Sequence, residues 1–206
     1  MESNGLMGGI FKVCDWISKL AYVNLLWVIF TLIGFGLFGV APSTVALFSI
    51  VRKWIMGENN IPVFSMFWSI YKSEFKKSNL LSFLLIFIIF FMYVDWVLIG
   101  SMQGILHHIF LTIFIIISII FTVILVYIFP VYVHFEGSIL NYFKSAILIG
   151  TSFPIRTLMM VLAVGTGILT SLLFPGVGVL FFGSGLSFAL MYFSYSIFKN
   201  VNPNIK

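Results

Sequence analysis

The sequence predicts an all-α fold, a polytopic membrane helical bundle of about six spans with interfacial amphipathic helices. Three observations predict it. Of 206 residues, 61% are hydrophobic and only 8% charged, with a mean hydropathy of +1.16, whereas soluble domains are roughly a quarter charged. Long uncharged runs recur along the chain. All the Lys and Arg residues fall between or beyond those runs in a pattern that marks one membrane face. This composition excludes an ordinary soluble enzyme, a disordered chain and a disulfide scaffold, since Cys14 is the lone cysteine. No nucleic-acid partner is implied by the net charge of +5, because basic residues in such a chain serve to orient it in the bilayer.

Each element follows from the spacing of charges and turn residues. Residues 8–19 place Ile10, Phe11, Cys14 and Ile17 on one side and Lys12, Asp15 and Lys19 towards another, the pattern of a short interfacial helix. From Leu20 the chain is uncharged as far as Val51, too long for one crossing of a hydrocarbon core about 30 Å thick. The glycines at 34, 36 and 39 followed by Ala41-Pro42 divide this run into a span over 20–40 and a helix over 42–56, with Pro42 suited to a first helical turn. That second helix meets Arg52 and Lys53 early. It is either a short, tilted span whose basic residues snorkel or a re-entrant helix packed inside the bundle.

Residues 64–77 mix Phe64, Phe67, Trp68, Tyr71 and Phe75 with Lys72, Glu74, Lys76 and Lys77, which predicts a second interfacial helix. Spans are expected over 80–99 and 105–133, separated by Gly100-Ser101-Met102-Gln103-Gly104. A third interfacial helix covers 138–153. The final spans, 157–173 and 177–198, part at Phe174-Pro175-Gly176. The whole chain, 1–206, reads as one integral membrane domain.

With a cytoplasmic N-terminus, Lys12 and Lys19 precede the first span, and Arg52, Lys53, Lys72, Lys76 and Lys77 follow the second. Lys144 and Arg156 lie between the fourth and fifth, and Lys199 and Lys206 follow the sixth. The opposite turns carry no Lys or Arg. The positive-inside rule then puts both termini in the cytoplasm, and favours anionic lipid as a partner on that face.

No catalytic constellation, cofactor motif or metal-ligand spacing is readable, so no catalytic residue, metal or cofactor is assigned. Asp95 is the only acidic residue inside a predicted span, a position that invites either an interfacial reading or an ion site. Asn24 in an apolar helix needs a partner and can lock helix pairs. Arg52 suits lipid phosphate or a partner carboxylate.

The segments Asn24-Leu25-Leu26-Trp27, Gly39-Val40-Ala41-Pro42-Ser43-Thr44-Val45-Ala46-Leu47-Phe48 and Arg52-Lys53-Trp54-Ile55-Met56-Gly57-Glu58 resemble the YesL-like family of small bacterial integral membrane proteins of uncharacterised function. The resemblance implies the gene company of carbohydrate uptake systems, including ABC importers. It thus implies a non-enzymatic accessory component that contacts importer subunits or a second copy of itself. A small transporter or channel is the alternative, and a membrane-embedded enzyme ranks last. Asn24, Trp27, Arg52, Lys53, Trp54 and Asp95 are the candidate lipid- or partner-contacting residues.

If Arg52 and Lys53 hold the end of the second helix on the basic face, changing both to Asn moves a reporter fused at residue 60 to the other side in part of the population. A reporter that stays wholly on its original side refutes this account of 42–56.

Overall fold

The computed structural model describes residues 6–201. Among them lie seven α-helices: α1 (Leu6–Ile33), α2 (Leu37–Ile55), α3 (Val63–Ser101), α4 (Ile105–His134), α5 (Ile139–Ser152), α6 (Pro154–Leu173) and α7 (Pro175–Val201), with no strand among the described residues. Five of them, α1 from Gly9, α3, α4, α6 and α7 to Lys199, are long and apolar enough to cross a membrane. Met1 and Lys206, to which the expectation of cytoplasmic termini refers, lie outside the described residues.

The sixth expected crossing, α2, is not among the five. At 19 residues it would extend about 28 Å, enough to cross, but Pro42, Ser43, Thr44, Ser49, Arg52 and Lys53 dilute its apolarity. Its surroundings compensate. It packs against α1, α3, α4 and α7, and most of its residues from Ala41 to Val51 are buried. A helix rich in small and polar residues therefore occupies the centre, where it packs against neighbouring helices.

Three boundaries differ from the sequence expectation. The segment 8–19 is not a separate interfacial helix but the first part of α1, which continues unbroken to Ile33; Asp15 and Lys19 pair one turn apart at 2.7 Å without interrupting it. The turn between the first two helices falls at 34–36 instead of 40–42. Phe35 and Gly36 adopt left-handed backbone there, with φ 55° and 71°. A Cβ on Gly34 would strike the backbone of Gly39 and stand 2.7 Å from the Tyr71 hydroxyl. Pro42 consequently lies inside α2, while Thr44 back-bonds to the Val40 carbonyl at 2.7 Å.

The third difference is the largest. The expected interfacial helix 64–77 and the span 80–99 form one helix of 39 residues. A change from charged to apolar composition does not break a helix, and no Pro or Gly interrupts residues 63–99. Asn79 stays helical by donating to the Phe75 carbonyl, one turn back, at 2.8 Å. The aromatic side of 64–77 is partly covered by α1, with Phe64 and Trp68 still exposed. Phe67 and Tyr71 are buried, and Phe30 of α1 packs against Phe64, Phe67, Trp68 and Tyr71 with ring centroids 5.1–6.3 Å apart. The Tyr71 hydroxyl donates to the Phe30 carbonyl at 3.2 Å.

The remaining breaks fall where the turn residues put them. Gly104, at φ 71°, leads into α4, and Phe174 alone separates α6 from α7, with Pro175 opening the latter. The short α5 matches the expected helix over 138–153. Gly150 lets it cross closely over Val123 and Tyr127 of α4, and Thr157 ties the start of α6 to the Gly150 carbonyl (2.9 Å) and the Tyr127 hydroxyl (3.0 Å).

Two glycines test this packing. Gly34→Ala inserts a methyl into the Gly39 backbone and lowers the thermal midpoint in detergent. Gly165→Ala, in the interior of α6 with open space around it, raises stability by about 0.5–1 kcal/mol. Equal effects of the two substitutions would refute the close approach at Gly34.

Candidate functional site

The helix ends that carry the basic residues converge. Trp16 of α1 packs edge-on against Trp54 near the end of α2, with centroids 6.0 Å apart. His134, which closes α4, lies 4.5 Å from the ring of Phe198 near the end of α7. Arg156, at the start of α6, donates to Ser196 Oγ of α7 at 2.8 Å. At this end, α2, α3, α4 and α5 enclose a polar cavity of about 320 Å³, lined among others by Ser49, Arg52, Glu74, Lys77, Tyr132, His134, Glu136 and Tyr142.

Arg52, Glu74 and Lys77 are each held in place by a neighbour from another helix. Arg52 Nη1 donates to the Val133 carbonyl in the last turn of α4 at 2.9 Å. The Tyr132 hydroxyl donates to Glu74 Oε2 at 2.6 Å. Lys77 Nζ donates to the Tyr142 hydroxyl at 2.8 Å and lies 5.3 Å and 5.1 Å from the Tyr132 and Tyr142 ring centroids, both within cation–π range. Among the described residues the ion pairs are Lys19–Asp15 and Lys53–Glu58, so Arg52 and Lys77 face the cavity without a paired carboxylate. Arg52 Nε and both ring nitrogens of His134 are buried and form no hydrogen bond among the described residues. Unpaired buried polar groups are costly, which makes this cavity a natural place for a polar ligand or water.

A second constellation lies on α1 and α7. Asn24, only 1% exposed, donates through Nδ2 to the Val179 carbonyl at 2.7 Å and accepts from the Ser184 backbone N–H at 2.9 Å. One amide therefore satisfies two backbone groups of α7 and is itself satisfied. Gly183 makes room for it, since a Cβ there would stand 2.9 Å from Asn24 Oδ1 and 3.2 Å from the Trp27 ring. Trp27 Nε1 donates to Thr44 Oγ1 at 3.1 Å, carrying the same contact on to α2.

The structure thus separates the residues singled out from the sequence. Asn24 and Trp27 join α1 to α7 and α2. Trp54 is 2% exposed, with its indole N–H unpartnered. Lys53 pairs with Glu58 at 2.9 Å. Asp95 is exposed on α3, remote from the cavity lining. Arg52 alone of the six lines the cavity. Glu74, Lys77, Tyr132 and Tyr142, its partners there, were not selected from the sequence. The charged residues among them read as part of a separate interfacial helix, and no local pattern sets the two tyrosines apart in the sequence. A family model described as "Protein of unknown function, DUF624" matches residues 20–96. The chain is 39% identical over 205 residues to the uncharacterized protein YteU of Bacillus subtilis (strain 168), covering 99% of this chain and 91% of that one.

The chain belongs to this YesL-like DUF624 family. It is also similar to YesL of the same organism, at 33% identity over 200 residues (97% of this chain, 94% of the relative), and to YesV, at 31% over 192 residues (92% and 91%). Both are likewise described as uncharacterized. No solved structure matches the chain. The family's matched region covers Asn24, Trp27, Arg52 and most of α3, and so holds both the α1 side of the amide contact and much of the cavity lining.

The amide contact predicts a coupled pair. Asn24→Leu removes two hydrogen bonds and lowers stability in detergent by about 1–2 kcal/mol. Gly183→Ala is destabilising in the native background but costs less once Asn24 is Ala, because the methyl then meets a smaller side chain. Strict additivity in that double-mutant cycle would refute the contact.

Proposed function

We propose that the protein is a non-enzymatic accessory component of the bacterial plasma membrane that associates with a carbohydrate uptake system, an ABC importer in the first place. The observation that carries this reading is the outer part of the α3–α4 hairpin. Between residues 86 and 120 only Ile99 is buried. Phe87, Phe90, Tyr93 and Trp96 on α3, with Ile105, Phe110 and Ile119 on α4, are exposed. These stretches of α3 and α4 present a largely exposed apolar surface, open to lipid and to the spans of a membrane partner. The link to sugar import rests on the gene company implied by the family resemblance.

In this reading the converging basic end faces the cytoplasm, both termini lie there, and anionic lipid contacts that face. A second copy of the chain is the other occupant considered for the hairpin. The alternative, a small transporter or channel, draws its support from the polar cavity beside α2. The polar residues along α4 give it less. Thr112, Ser118 and Thr122 bond to carbonyls one turn back in their own helix at 2.8–2.9 Å, so their hydroxyls are already satisfied.

Photo-crosslinking from positions 96 and 115, followed by purification from native membranes in mild detergent, tests the proposal. Importer subunits crosslinked to the hairpin are the expected result. Recovery of the chain alone, with uptake of sugars or cations by liposomes containing only this protein, would replace it with the transporter reading.

A further inference from the structure

The cavity beside α2 is charged in a particular way. Arg52 and Lys77 supply two positive groups, and Glu74 and Glu136 two negative ones, yet no pair among these four is in direct contact. Glu58, the acidic residue nearest to Arg52 in sequence on that side, is taken up by Lys53. Half-burying a guanidinium without a counter-ion is unfavourable. Its Val133 contact fixes the orientation of the group while Nε forms no hydrogen bond among the described residues. An oriented guanidinium in the cavity wall matches the oxygens of a phosphate. Lys77, steadied by Tyr142 and two aromatic rings, adds a second positive group.

The carboxylates decide what kind of phosphate fits. A ligand bearing only negative charge would meet Glu74 and Glu136 as well as the two cations. A ligand carrying phosphate and ammonium together satisfies both signs. The cavity, about 320 Å³, has room for a group of that size. It lies at the end of helices apolar enough to cross a membrane, the depth at which phospholipid headgroups sit.

We propose that this cavity binds the headgroup of a zwitterionic phospholipid, its phosphate on Arg52 and Lys77 and its primary ammonium on Glu74 and Glu136. The proposal does not depend on association with an importer. Bound in this way, the lipid supplies the counter-ion that the chain withholds from Arg52, and bridges α2, α3 and the turn between α4 and α5.

The test is lipid retention by the purified full chain, read by native mass spectrometry after exchange into mixed micelles of phosphatidylethanolamine, phosphatidylglycerol and phosphatidylcholine. Phosphatidylethanolamine is retained preferentially, and Arg52→Gln or Lys77→Gln lowers its retention about tenfold or more. Glu136→Gln, at an exposed position where folding is not at stake, reduces the preference for phosphatidylethanolamine over phosphatidylglycerol. Equal retention by native and variant chains overturns the proposal. So does equal retention of phosphatidylglycerol by the native chain, which would mean that the carboxylates do not select. Thermal stabilisation by inorganic phosphate or free phosphoethanolamine as large as that by the lipid would replace the lipid source with a soluble one.

Discussion

An apolar environment offers no water to a polar group, and the fold is arranged around the one helix that needs shelter from that rule. α2 contains Pro42, Ser43, Thr44 and Ser49 and ends in Arg52 and Lys53. Facing lipid on all sides, it would expose hydroxyls and weakened backbone bonding to hydrocarbon. Surrounded by α1, α3, α4 and α7, it gains close packing from its small residues and finds partners on other helices for Thr44 and Arg52 Nη1, while Ser43 Oγ, Arg52 Nε and Trp54 Nε1 form no hydrogen bond among the described residues. Trp27 reaches Thr44, and the Val133 carbonyl receives Arg52. The five more apolar helices can serve as the shell because their polar residues are few and largely bonded within their own turns.

The Asn24 contact extends the same logic to the outermost helix in sequence. α7 is remote from α1 along the chain, so nothing local brings them together. A side-chain amide that bonds to both a carbonyl and an N–H of α7 gives their association a fixed register, which apolar packing alone would leave free to slide. Gly183 is needed opposite it for the same steric reason that Gly34 is needed opposite Gly39. In both places a hydrogen atom in place of a side chain sets how near two helices can come.

The polar cavity is a consequence of where the charged helix ends meet. α3 carries its charges on the same helix as a long apolar stretch, so Glu74 and Lys77 are rigidly connected to the hairpin that extends to Ser101. Tyr132 and Tyr142 hold these two charges from α4 and α5. Glu74 and Lys77 of the cavity lining and the apolar stretch of the hairpin therefore belong to one continuous helix.

Composition and turn chemistry alone determined that this is an all-α membrane bundle and that its helices part near residues 100–104, 135–138 and 174. Those features depend on local hydropathy and on residues such as Gly104 and Pro175, which act within a few positions of themselves. The need of Asn24 for a partner was also legible, because an amide in an apolar helix cannot stand alone. That its partner is the backbone of α7, that 64–77 continues into the next span with its aromatics packed around Phe30, and that Arg52 shares a cavity with Glu74, Lys77 and His134 were decided by tertiary structure. Helix continuity across a change of polarity leaves no mark in hydropathy, and contacts between helices distant along the chain depend on which faces meet, a property no single segment contains.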